Sequence, residues 1–163
     1  MKKKKFSIYR QTNFILAAIC IHFIFFGYLC NIYKLNIGLR IIFLYQLAFS
    51  PTSFIAFFIL FIILFIMVFR ENFFEYGIRN SLWLIPLVII ESWIWYWFIY
   101  GFDFIGLMIL YFGTIHGYLT ILSLILIHLL AAVLGAYSKE KYKEHYKKNI
   151  TIKDQKKKGE KEK

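Results

Sequence analysis

Between Gln11 and Ser138 lie 128 residues with only four basic side chains, Lys34, Arg40, Arg70 and Arg79, and four acidic ones, Glu71, Glu75, Glu91 and Asp103. Folded water-soluble domains are covered by charged side chains, so a stretch this poor in charge cannot form the surface of one. The other sixteen of the twenty Lys and Arg residues sit at the two ends, Lys2 to Lys5 with Arg10 at the front and eleven lysines from Lys139 onward. That pattern predicts an all-α, polytopic integral membrane protein. Hydrophobic residues make up 60% of the chain and aromatics 21%, against about 45–50% apolar in ordinary globular domains.

The net charge of +11 belongs to tails that flank lipid-facing segments. Anionic lipid headgroups at both termini are therefore the expected partners rather than nucleic acid. Cys20 and Cys30 lie ten residues apart in one apolar stretch, about 15 Å along a helix. A disulfide needs Cα atoms within about 7 Å, so an intrahelical bridge is excluded. The basic start and apolar run from Phe14 resemble a secretory signal, but the run reaches Tyr33, beyond the ~7–15 residues of a signal core. An uncleaved first span is expected.

Four transmembrane helices are predicted, over about 14–33, 53–69, 82–100 and 118–137, after a basic cytoplasmic N-terminus (1–13) and before a lysine-rich tail (138–163) that is helical and then, past Asn149, disordered. The piece from Lys34 to Thr52 is too polar for a span and too apolar for a free loop. It reads as interfacial, or as a bent extension of the next helix broken at Pro51. Arg70 to Ser81 reads as a polar connector. Trp93, Trp95, Trp97 and Tyr100 form an aromatic belt at the far end of the third span. Phe104 to Tyr137 would make a helix of about 51 Å, too long for one crossing of a ~30 Å core. Gly113-Thr114-Ile115-His116-Gly117 offers the break, as a hinge or, through Gly113-x-x-x-Gly117, as a helix-packing motif. With both termini cytoplasmic, eighteen basic residues face inward and only Lys34 and Arg40 outward, as the positive-inside rule favours.

Few ionisable groups fall inside the spans. Counted from the cytoplasmic ends, His22, Glu91 and His128 each lie about 12–14 Å deep, on three different helices, and form a candidate polar cluster. A bare carboxylate there is costly, near +2.5–3.5 kcal/mol for a central Asp on insertion scales (about), so Glu91 is expected to be protonated, paired or hydrated. One reading is a proton relay or cation site, with Glu91 as acceptor and His22 and His128 as partners. The plainer one is a neutral Glu91 hydrogen-bonded to His22, His128 or Ser92 that holds helices together. Two histidines and a carboxylate also suit zinc, and two histidines haem, although no HxxxH or HxxE spacing supports a metal and no cofactor is expected. Asp103 and His116 form a candidate pair at the outer edge. No nucleotide-binding loop, nucleophile motif or zinc-protease motif is present.

These features point to a non-enzymatic membrane subunit, transport-related or complex-forming, working as a homo-oligomer or in a larger complex. The alternatives are a haem- or metal-binding redox protein and a passive protein of the protective or immunity type.

Overall fold

A computed structural model describes residues 11–33, 38–50, 54–71 and 74–161. Among these the chain is helical, without a strand. Helix α1 (Thr12–Cys20) passes through a π-helical turn (Ile21–Phe26) into α2 (Gly27–Tyr33). A 3-10 turn (Gly38–Ile41) and the short α3 (Tyr45–Ala48) precede α4 (Phe54–Arg70). Helices α5 (Phe74–Tyr100), α6 (Phe104–Phe112) and α7 (Ile115–Lys161) follow. Residues 1–10, Lys34 and Pro51, on which the basic start and the expected break before α4 depend, lie outside the described residues.

Among the described residues three helical stretches are long and apolar enough to cross a membrane: Thr12–Cys30, Glu75–Tyr100 and Ile115–Lys148. Helix α4 is apolar, but its 17 residues reach only about 25 Å. Helices α1 and α5 run in the same direction, with His22 against Glu91 and Phe26 against Trp95, while the start of α5 meets the end of α4 at Gly77 and Val68, so α1 and α4 run in opposite directions. Helices α4 and α7 run in the same direction, with Gly135 against Phe65 and Tyr142 against Phe69. Helix α5 opposes α7, with Ser81 near its start bonded to His128 and Trp93 near its end against Tyr111 and Phe112, just before α7 begins. One end of the bundle thus gathers Thr12, Arg70, Phe74 and Lys139, and the other gathers the 38–48 segment, the α5–α6 turn and the start of α7.

The core fills the space between these helices with Ile21, Phe25 and Phe26 from the π-helical turn, Leu60 and Leu64 from α4, Leu84 and Val88 from α5, and Leu124 from α7, all fully buried. Helices α4 and α7 approach closely because Ala131 and Gly135 stand four apart on the contact face. A Cβ on Gly135 would lie 2.9 Å from the Phe65 carbonyl oxygen. This is the small-x-x-x-small device of membrane helix pairs, at a site other than Gly113 and Gly117.

Helix α5 begins at Phe74, eight residues before the predicted span. Its polar first turns are satisfied locally: Asn80 Nδ2 donates to Glu71 Oε1 at 3.2 Å, and Arg79 lies 4.7 Å from the centre of the Tyr76 ring. Gly77 is buried against Val68, so this end of α5 packs on α4 instead of forming a loop. Pro86 sits inside α5 and removes one backbone bond, which membrane helices tolerate when neighbours surround them.

The 38–48 segment is not laid along a surface. Ile41, Ile42, Phe43 and Leu44 are each at most 2% exposed, and Phe43 stacks on Tyr111 of α6 with ring centres 6.2 Å apart. The segment wedges into one end of the bundle, because protein side chains there cover its apolar groups as well as lipid would. Between α6 and α7 the helix breaks at Gly113-Thr114. Past that break, α7 continues as one helix through Lys161, including the residues after Asn149 whose composition predicts disorder.

Candidate functional site

His22 and Glu91 meet across the α1–α5 contact. His22 Nδ1 lies 2.6 Å from Glu91 Oε2, and the side chains are 36% and 19% exposed. His22 is placed there by the π-helical turn Ile21–Phe26, a feature that recurs at functional sites because it opens the regular backbone ladder. The Trp95 ring, one turn beyond Glu91, lies 5.5 Å from the His22 ring and 6.5 Å from that of Phe26. The pair is thus walled by aromatic rings on one side and open on the other.

Chemically the pair is a one-proton device. The bonding proton can rest on His22 with Glu91 ionised, or on Glu91 with His22 neutral, and both states carry no net charge. In a low-dielectric setting that equality matters, because a net charge costs far more than a dipole. Addition or removal of one further proton makes the pair charged.

His128 is not part of this arrangement. Its Nδ1–H donates to the Leu124 carbonyl at 2.7 Å, and its own carbonyl accepts from Ser81 Oγ at 3.2 Å. Ser81 precedes Glu91 by ten residues, about 15 Å along α5, so His128 stands well removed from the pair. Depth counted from Leu82 places the three side chains at one level, but α5 begins at Phe74, so Glu91 and His128 do not share a level. His128 is fully buried, and its Nε2 has no hydrogen-bond partner among the described residues. Ser92 turns its hydroxyl to the Ile89 carbonyl at 2.7 Å.

The outer-edge residues also part. Asp103 caps α6, its Oδ1 accepting from the Gly106 amide at 2.8 Å, as a helix N-terminus favours. It borders an open cleft of about 630 Å³ with Tyr96, Tyr100 and Thr114. His116 instead shares a hydrogen bond with the Tyr45 hydroxyl and stacks on that ring, with Phe43 5.4 Å away. Tyr45 was not a sequence candidate, since a pairing across 71 positions leaves no local signal. Gly113 and Gly117 lie at the α6–α7 break. A Cβ on Gly113 would meet the Ile109 carbonyl and one on Gly117 the Tyr111 carbonyl, so both permit a tight turn there.

At the opposite end, Lys139 Nζ donates to the Glu71 carbonyl at the close of α4, where a cation complements the helix dipole. Among the described residues no three His, Cys, Asp or Glu side chains converge to hold a metal ion. The chain matches no protein-family profile, no curated protein and no solved structure.

Proposed function

We propose that the chain is a small, non-enzymatic, multi-pass subunit of the cell membrane that takes part in proton or cation movement beside a partner, either further copies of itself or a larger complex. In this reading α4 is a fourth crossing and both termini are cytoplasmic, an orientation supported by the eighteen basic residues it would place inside. The observation that carries the functional part is the 2.6 Å contact between His22 Nδ1 and Glu91 Oε2, which joins two apolar helices through ionisable groups. Ionisable side chains within membrane helices commonly mark ion or proton paths. Glu91 is the acceptor and His22 its relay partner. The open side of His22 favours exchange with a partner helix or a hydrated surface over a sealed structural contact.

The test is proton uptake by liposomes that contain the purified protein and an internal pH dye under an imposed pH gradient. Uptake is expected with the native chain and lost with Glu91→Gln at unchanged helical content by circular dichroism. Unchanged flux in a folded Glu91→Gln protein refutes the reading.

A further inference from the structure

An apolar groove of about 250 Å³ runs along the contact of α1 with α4, and its composition changes sharply at one end. On α1 the small Ala17 and Cys20 sit between the larger Leu16 and Ile24, and branched side chains such as Ile59 and Ile63 line the α4 wall. The space beside the two small side chains is what leaves the groove unfilled. Asn13 and Arg70 stand at one end of it, and among the described residues that line it they are the only polar ones besides Cys20.

Arg70 closes α4, where a cation would ordinarily serve the free carbonyls of the last turn. Lys139 already does so, at the Glu71 carbonyl. No carboxylate pairs with Arg70 among the described residues, and its side chain is exposed. From Ile59 to Arg70 the groove follows eleven residues of helix, about 16 Å. Half of a ~30 Å hydrocarbon core is about 15 Å, so the groove is one leaflet long, with its charged end where that leaflet meets water.

We infer that this groove holds the acyl chain of a phospholipid with an anionic headgroup, whose phosphate is bound by the Arg70 guanidinium and the Asn13 amide. The match of length, apolar lining and a single cationic end selects a lipid over a second protein helix, which would need a wider and longer seat. The inference shares with the proposed function only the embedding of the chain in a bilayer.

Native mass spectrometry tests it on the full-length protein, incubated in detergent with equimolar dioleoyl phosphatidylglycerol and dioleoyl phosphatidylcholine. One phosphatidylglycerol should be retained per chain in preference to phosphatidylcholine. Arg70→Gln, at an exposed position, should reduce that retention about fivefold, the loss expected for one basic contact at a membrane surface. Cys20→Phe, which fills the groove, should lower retention of both lipids. Lys148→Gln removes the same charge far from the groove and should change nothing. Equal retention of the two lipids, or a Lys148→Gln loss as large as that of Arg70→Gln, overturns the inference, the second by revealing diffuse attraction to the basic ends. Flotation with liposomes scores the embedding by itself, so a floating protein without lipid preference counts against the groove alone.

Discussion

The Ser81 hydroxyl on α5 donates to the His128 carbonyl on α7 at 3.2 Å, at a position where both residues are buried. That bond sets the register between the two longest helices. It places the His128 ring in an apolar core with one nitrogen satisfied by Leu124 and the other without a partner among the described residues.

A buried acceptor without a partner carries an uncompensated desolvation cost, so its replacement by an apolar group of similar size can be neutral or favourable. His128→Leu should therefore fold with a stability within about 1 kcal/mol of the native chain. His128→Ala should lose about 2–4 kcal/mol through the cavity it opens. Denaturation in mixed micelles, followed by circular dichroism, separates the two. A severe loss in His128→Leu would assign the ring a polar role that its surroundings do not show.

The His22–Glu91 contact should register as coupling between the two positions. In a double-mutant cycle with His22→Ala and Glu91→Ala, an interaction energy of about 0.5–2 kcal/mol is expected, the range of polar contacts between membrane helices. The same micelle denaturation reads it. Strict additivity of the two substitutions would mean that the pair does not exist in the folded protein.

Two phenylalanines six residues apart should behave oppositely. Phe43 is 2% exposed and Phe49 81%. Phe43→Ala should destabilise by about 3–5 kcal/mol, whereas Phe49→Ala should fall within about 0.5 kcal/mol of native. Comparable small effects at both sites would return the 38–48 segment to the bundle surface.

Close approach of α4 and α7 predicts intolerance at Gly135. Gly135→Val drives its side chain into the Phe65 carbonyl and Val68, and should cost about 1–3 kcal/mol or force the helices apart. Disulfide trapping between cysteines introduced on α4 and α7 would report the separation as lost crosslinking. Efficient crosslinking in a stable Gly135→Val protein would contradict the packing.

Much of the helix layout was legible because long runs without charge leave few options, as in Ser53 to Phe69. The chain break near Gly113 could also be read, from a helix too long for one crossing and a glycine-bearing cluster within it. Registers between helices could not. They depend on where each helix starts, and α5 starts inside Arg70 to Ser81, whose charges look like a loop until Asn80, Arg79 and Gly77 are seen to pack. His22 and Glu91 stood out as ionisable groups in apolar spans, but the same criterion picked His128, which the Ser81 contact sets apart. Arg40 and Gln46 masked the buried run Ile41 to Leu44 by diluting its hydropathy. The Ala131 and Gly135 spacing is present in the letters, but alanine is too common in apolar helices for it to stand out beside Gly113 and Gly117.

The π-helical turn at Ile21–Phe26 amounts to one surplus amino acid threaded into an otherwise continuous coil. Each residue of an α-helix advances the azimuth by about 100°, so the surplus residue rephases everything beyond it by that angle. Within the turn Ile24 can then face α4 across the groove while His22 meets Glu91 on α5, so two neighbours are served from one short stretch. Excision of a single residue from the turn would leave every side-chain type nearly unchanged and yet deliver the wrong face to one of the two neighbours.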